Sequence, residues 1–473
     1  MWTILAIFFL QFADKVGAER VCLSETAIEK REARGIAIDS LDFEVSPVYL
    51  DSVRAMGAKV LHTSRWINGA TVEANNEAIR AIDKCSFVDT IYLTRMEPTE
   101  QAFDIPSISL RKRIIAEDTL PDAPPPVASI EQLDQLNLLP LHQAGYKGQG
   151  IRIGIADGGF YNANSMTALP KEQWLGYADF TDDEDDFFGS TGNHGTLCLT
   201  AIIAEVPDYQ GTATEAEYFL FRTEEHYSES PKEIDNWVAA IEMADSLGLD
   251  IVSTSLGYTT FDNEHFDFTY ADMDGRCSRG AQTATIAARK GMLLIMAAGN
   301  EGNNEWHHLS TPADADSILT VGAVDIDGEI AAFSSYGPSA DGRVKPEVCA
   351  VGKQTVLLNP SDGFVMTGNG TSFACSLVAG MAACLWSALP GASNMEIRER
   401  IIRSADRYNA PHEQYGYGIP DAWKAYGNGM GNNLSKTNGQ VTFKPQKIWI
   451  NGHLWIKKDN TLYNMLGTLI TTH

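Results

Sequence analysis

This sequence of 473 residues lacks a basic excess, a disulfide framework, low-complexity tracts and long hydrophobic runs. Each absence closes a class of function. Against 62 Asp and Glu stand only 36 Lys and Arg, a formal charge of −26 that repels phosphate backbones and anionic lipid surfaces. Nucleic acid is therefore a poor partner. No apolar stretch reads as reaching the ~18 residues of a membrane-crossing helix, so no membrane span is expected. The 7 Cys are too sparse for a disulfide framework. Cys375 and Cys384 fall in an apolar helical run, where small buried thiols are ordinary. With 40 Gly and 19 Pro there is no collagen-like bias. The 44% of hydrophobic residues can fill a sizeable core, and the length implies one large domain with appendages or two to three domains.

Four regions follow from local patterning. Residues 1–97 alternate short elements: an apolar stretch at 1–12, helices near 25–34, 47–56 and 75–85, strands bracketing Asn68-Gly69, and a strand at 88–93. They form a small α+β domain. The stretch 1–12 reads equally as a signal core or as a buried first strand. Residues 98–129 lose periodicity and end in Pro124-Pro125-Pro126, the composition of an exposed linker. Residues 130–430 alternate apolar strands (151–156, 218–221, 250–253, 292–298, 318–324) with helices (232–247, 281–290). That pattern predicts an α/β fold, a doubly wound and mostly parallel sheet with helices on both faces. Residues 441–473 carry Asn451-Gly452 between apolar triplets, a short β hairpin.

Three strings place reactive side chains at element junctions. Asp157 lies just past a strand end before Gly158-Gly159; His194, in Asn193-His194-Gly195-Thr196, opens a helical run; Ser372, in Gly370-Thr371-Ser372, opens another. Each alone reads as a cap, a turn residue or an ordinary surface group. Together they supply a nucleophile, a base and an orienting carboxylate in a single domain.

These residues resemble the subtilisin-like serine peptidases (subtilases), in the order Asp, His, Ser. Asn300, in Ala297-Ala298-Gly299-Asn300, resembles the family's oxyanion-hole residue, and Ser255-Leu256-Gly257 its substrate-binding strand. The resemblance spans roughly residues 130–425. It implies a serine endopeptidase forming an acyl-enzyme on Ser372, with His194 as general base and acid and Asp157 orienting it. The implied partners are protein or peptide substrates and the chain's own N-terminal propeptide over 1–97. It also implies a zymogen cut within 98–129, export from the cell, and a C-terminal module like the sorting tails of some exported enzymes. No cofactor is needed for catalysis. Two departures stand out: Gly158 replaces the usual hydroxyl residue after the aspartate, and Ser376 stands where proline is usual. The alternative is a catalytically dead relative acting as a peptide-binding module, which would need a missing catalytic group. An esterase elbow, Gly-x-Ser-x-Gly, does not surround Ser372.

Other features weigh less. The carboxylates in 181–186 suit a structural Ca²⁺ and equally a solvated acidic loop. His307-His308 lacks any spaced partner motif such as His-Glu-x-x-His, so no catalytic metal is expected. Gly148, Gly150 and Gly154 fall before and within the strand instead of after it, which excludes a dinucleotide loop.

Overall fold

The computed structural model describes residues 5–96, 129–181, 186–189, 192–427, 446–450, 453–458 and 461–463. The expected linker with its cleavage site, apart from Ser129, and the carboxylates at 182–185 lie outside the described residues.

The N-terminal region runs β1 (Leu5–Phe12), α1 (Glu25–Ala33), α2 (Pro47–Ala55), β2 (Lys59–Ser64), β3 (Gly69–Asn75), α3 (Asn76–Ile82) and β4 (Val88–Met96). Its helices start where side chains satisfy orphan N–H groups. Ser24 Oγ accepts from Ala27, Ser46 Oγ from Tyr49 with Pro47 in the first turn, and Asn75 Oδ1 from Glu77 and Ala78. The antiparallel sheet has the order β2-β3-β1-β4, so the apolar first stretch is a central strand. Leu10 and Phe12 join Val45, Val53 and Val72 in a local core, while Phe9, pointing to the other face, joins a second core with Trp237. One expectation is corrected here. Asn68-Gly69 is not a two-residue hairpin turn: Ser64 pairs with Gly69, leaving four turn residues, with Asn68 in the left-handed region at φ 55°. Gly69 is already in the strand, where a Cβ would strike the Leu10 carbonyl and the Phe9 ring.

The second region begins with α4 (Ile130–Gln135) and α5 (Leu139–Gln143), followed by β5 (Arg152–Asp157), β6 (Trp174–Asp179), α6 (His194–Ile203), β7 (Glu205–Val206), β8 (Tyr209–Gln210) and β9 (Glu217–Arg222). Then come α7 (Lys232–Leu247), β10 (Ile251–Thr254), α8 (Arg279–Arg289), β11 (Leu293–Ala297), β12 (Leu319–Val324) and β13 (Val348–Val351). The region ends with β14 (Thr355–Leu358), β15 (Val365–Gly368), α9 (Thr371–Ala388), α10 (Asn394–Ser404) and α11 (Ala422–Gly427). Seven strands form one parallel sheet in the order β13-β12-β11-β10-β5-β9-β6. Strands β10 to β12 are buried along their whole length, as their continuous apolar runs require. Val252, Leu294 and Met296 pack with residues of α7 and α8, while Ser253 and Ile295 meet Cys375 of α9. The fold is α/β with helices on both faces. The chain passes from β9 on one side of β5 to β10 on the other, so the order reverses at the carboxyl end of β5, where such sheets place their sites.

Two further differences from expectation concern length. Helix α9 has 18 residues and is apolar enough to cross a membrane, which the sequence reading denied to any stretch; 89% of it is buried as a core helix. At the C-terminus, β16 (Gln446–Ile450) and β17 (His453–Lys458) pair antiparallel with Ile450 opposite His453, and β18 (Thr461–Tyr463) adds a third strand to the expected hairpin. All seven cysteines are free thiols.

Trp237 is fully buried between Phe9 and Trp66 of the first region and the main sheet, and its Nε1–H donates to Thr254 Oγ1 at 3.2 Å. Trp237→Ala is expected to destabilise the protein by about 3–5 kcal/mol in urea unfolding, because nothing nearby can collapse into a void shared by two layers. A loss under about 1 kcal/mol would contradict the shared core.

Candidate active site

Asp157 is the last residue of β5, opposite Arg222 of β9, and its side chain is completely buried. A carboxylate so placed needs donors. The Gly158 N–H donates to Oδ1 at 2.8 Å, and His194 Nδ1 lies 2.9 and 3.0 Å from the two oxygens. Asp157 thus keeps a local donor although Gly158 carries no hydroxyl. The carboxylate can only accept, so Nδ1 bears the proton and Nε2 presents its lone pair.

Small residues let the two loops meet. The Gly195 N–H donates to the Gly159 carbonyl at 2.9 Å. A Cβ on Gly195 would stand 2.7 Å from that oxygen and 2.8 Å from Asp157 Cβ, and one on Gly159 would stand 2.8 Å from Gly192 Cα. His194 then begins α6 with its ring 31% exposed. Burial works against the imidazolium. The Asp157 charge, the Cys198 sulfur 4.0 Å from Nδ1 and the Asp157 hydrogen bond outweigh it, holding the His194 pKa well above its ordinary 6.5.

Ser372 is the second residue of α9 and only 4% exposed. Its N–H, in the first helical turn, has no intrahelical acceptor. Its hydroxyl donates to the Ser255 carbonyl at 3.4 Å; among the described residues no hydrogen bond joins it to His194. Other contacts close the gap. Cys198 Sγ donates to Ser255 Oγ at 3.5 Å, Ser255 Oγ donates to the Ser372 carbonyl at 3.1 Å, and the Phe373 ring sits 5.8 Å from the His194 ring. Ser376, the hydroxyl residue standing in for proline, also donates to the Ser372 carbonyl, one turn back, at 3.0 Å.

Asn300 follows β11 and Gly299, which adopts φ 110°. Its Oδ1 accepts from the Thr371 N–H at 2.9 Å and from Thr371 Oγ1 at 3.1 Å, so its oxygen is engaged by the residue before Ser372 and its NH₂ is the end left to donate elsewhere. The segment Ser255-Leu256-Gly257 follows directly on β10. β10 stops at Thr254, whose partners are Ala156 and Met296, and Tyr258 turns to bridge Thr311. Residues 255–257 continue outside any ladder because β5 ends one residue later, at Asp157.

Sequence reasoning missed Cys198, Phe373 and the anchoring role of Thr371. Cys198 was accessible through its i,i+4 spacing from His194 on one helix face. The ligand atoms of Asp157, His194 and Cys198 lie within 4.8 Å of one another, as do those of Glu224, Glu229 and Glu233, so either trio could hold a metal ion by geometry. The second trio is already engaged: Glu224 accepts from Tyr258, and Glu233 from the N–H groups of Glu225 and Ser230. His307 and His308 stack on Tyr336 and Tyr270, with ring centroids 5.1 and 3.8 Å apart.

An imidazole backed by a buried carboxylate, a serine at a helix start and an asparagine anchored beside it thus lie at one rim of a parallel sheet. The subtilase family profile (Peptidase_S8) matches residues 148–418, more than half of the chain, and the profile "Peptidase S8 propeptide domain, Bacteroidota" matches residues 8–105. The chain belongs to the subtilase family. It is 31% identical over 267 residues to subtilisin DY of Bacillus licheniformis, covering 55% of this chain and 85% of that protein. It is 26% identical over 302 residues to subtilisin-like protease SBT6.1 of Arabidopsis thaliana, covering 60% of this chain but only 26% of that much longer protein. The structure of MycP1 from the ESX-1 type VII secretion system shares the fold, with a TM-score of 0.52, 20% identity, and coverage of 65% of this chain and 88% of that one. The chain thus joins a propeptide domain to a subtilase domain.

Only neutral imidazole accepts a proton, so kcat/KM for a peptide substrate should fall about tenfold per pH unit below the His194 pKa. The acid limb is expected above pH 6.5, because the pKa is raised from that value. Asp157→Asn removes the charge that raises it and should shift the limb to lower pH while cutting the plateau on the order of 10⁴-fold. A wild-type limb below pH 6.5 would contradict this electrostatic account.

Proposed function

We propose that this protein is an exported serine endopeptidase made as a zymogen. The observation that carries the reading is the contact at 2.9 Å between His194 Nδ1 and the buried Asp157 carboxylate, at the rim where Ser372 begins its helix. When a peptide carbonyl enters, Ser372 Oγ turns from the Ser255 carbonyl toward His194 Nε2. Such catalytic bonds commonly tighten only in the complex. Oγ attacks the carbonyl carbon as its proton passes to Nε2, and Asp157 stabilises the imidazolium. The developing oxyanion meets the Asn300 amide and the Ser372 N–H. The tetrahedral intermediate expels the leaving amine, which takes the proton from His194; water then repeats the sequence to release the acid. No step needs a cofactor.

The substrate backbone pairs with residues 255–257, whose position outside any ladder leaves room for an added strand. The alternative, a peptide-binding module without catalysis, would need one of the four groups to be missing, and all four are present: Asp157, His194, Ser372 and Asn300. We further infer that residues 98–129 contain the processing site and that the C-terminal strands serve in export.

Ser372→Ala should abolish both casein hydrolysis and self-cleavage of the linker. A fluorophosphonate probe should label Ser372 in the wild type and fail in His194→Ala; labelling at another residue would overturn the assignment. Asn300→Ala should lower kcat on the order of 10²- to 10³-fold with KM little changed, since its amide is needed at the oxyanion and not in the ground state.

A further inference from the structure

β10 and β11 stay in register up to Thr254 and Met296, and beyond that pair each segment is drawn to a different neighbour. On one side the Tyr258 N–H donates to the Thr311 carbonyl at 2.8 Å and the Thr311 N–H returns a bond to Tyr258 at 3.1 Å, which ties 255–258 to 310–311. On the other side the Ala298 N–H donates to the Val321 carbonyl at 3.0 Å, and Thr371 holds the Asn300 oxygen. A gap opens between the two segments beside Ser372. Each wall carries a glycine, Gly257 on one and Gly299 on the other, so neither fills the gap with a side chain of its own.

Ser310 closes the inner end of this gap. Its N–H donates to the Ala298 carbonyl at 3.4 Å, so it is joined to one wall directly and to the other through Thr311. A Cβ on Gly257 would stand 2.0 Å from Ser310 Oγ and 2.8 Å from Ser310 Cβ. A Cβ on Gly299 would stand 3.3 Å from the same Oγ and 2.8 Å from Ser335 Oγ. Exposure falls in the same direction: Asn300 is exposed, Gly257 and Gly299 are half-buried, and Ser310 is 6% exposed. The gap is therefore a slot with its mouth at the rim and its floor at Ser310. That floor has no room to recede, because Leu309 and Thr311 on either side of Ser310 are fully buried in a close-packed interior.

In the acyl transfer argued above, the scissile carbonyl stands between Ser372 Oγ and the Asn300 amide while the substrate backbone before it pairs with 255–257. The residue that supplies this carbonyl is flanked by 255–257 on one side and 298–300 on the other, so its side chain enters the slot. We propose that Ser310 restricts this residue to glycine, alanine or serine. The two wall glycines admit a Cβ, and the Ser310 side chain occupies the space that the outer atoms of leucine, methionine or an aromatic ring would need. A larger side chain must either push Ser310 into packed neighbours or hold the carbonyl away from Asn300, and both cost more in the transition state than in a loosely seated ground state. The proposal rests on the endopeptidase reading of the same site and names the substrate class that reading leaves open.

A series of peptide p-nitroanilides with one upstream sequence fixes the scissile bond and varies only the residue before it. With the full-length protein, kcat/KM for alanine is expected to exceed that for phenylalanine or leucine roughly 100-fold or more. Equal values, or a preference for either large residue, would overturn the proposal. Ser310→Gly lowers the floor and should raise the phenylalanine-to-alanine ratio of kcat/KM roughly tenfold or more, with most of the gain in kcat. A general loss of structure lowers both rates and leaves that ratio where it was, so an unchanged ratio in the folded variant counts against the assignment; if the variant does not fold, the wild-type series decides alone. Cleavage of none of the peptides would be a failure of the endopeptidase reading and not of the slot. Calorimetric binding of the alanine and phenylalanine peptides to Ser372→Ala protein then tests the slot without chemistry: roughly tenfold tighter binding of the alanine peptide supports it, and equal, reversed or absent binding overturns it.

Discussion

Burying the Asp157 carboxylate at the end of β5 commits the surrounding architecture. A charge removed from water must be matched by donors at hydrogen-bond distance, and among the described residues two partners of this side chain serve: the Gly158 N–H and the His194 ring. Bringing the ring there forces the loop before α6 against the loop after β5. That approach explains the glycines at 159 and 195, because a Cβ at either would overlap backbone. The imidazole then has one nitrogen committed to the acid and one facing the cleft. The orientation of the acid–imidazole pair thus follows from a packing problem at the carboxyl rim of the sheet.

The serine side is organised by different means. The Ser372 carbonyl accepts from Ser255 and Ser376 hydroxyls, and its own hydroxyl returns a bond to the Ser255 carbonyl. These contacts hold the first turn of α9 against the end of β10 while leaving the reactive oxygen on a rotatable Cα–Cβ bond. Thr371 does the same for Asn300, engaging its oxygen and leaving the NH₂ end for the proposed oxyanion contact. The helix start is fixed by hydrogen bonds while the Ser372 hydroxyl can rotate, as the proposed nucleophilic role requires.

Much of this was legible in the order of residues. Fully buried parallel strands announce themselves as unbroken apolar runs, so β5, β10, β11 and β12 were readable, as were α7 and α8 between them. Asp157, His194, Ser372 and Asn300 were readable because each sits where a strand stops or a helix starts, among small residues. What escaped depends on distance along the chain. The Ser255–Cys198 contact joins residues 57 apart and the Arg31–Asp245 pair residues 214 apart, and neither leaves a periodic trace. The loop at 65–68 escaped for another reason: Asn68-Gly69 is the pair that short turns favour, but Arg65 and Trp66 are drawn to Glu242, so the turn lengthens to reach it.

That lengthened turn shows how the two regions shape each other. A tighter hairpin would satisfy β2 and β3 locally, yet it would carry Arg65 away from Glu242 and Asp245 at the end of α7. Those two carboxylates are misplaced for an isolated helix and well placed for an interface, because the dipole that disfavours them alone adds to the attraction once guanidinium groups arrive. Burial raises the pKa of Glu242 even though Arg65 and the surrounding hydrogen bonds oppose it, so those contacts only partly offset the solvation that the charged form loses. Local preference in the turn and in the helix is overridden together, by the same few ion pairs, and neither departure makes physical sense without the other.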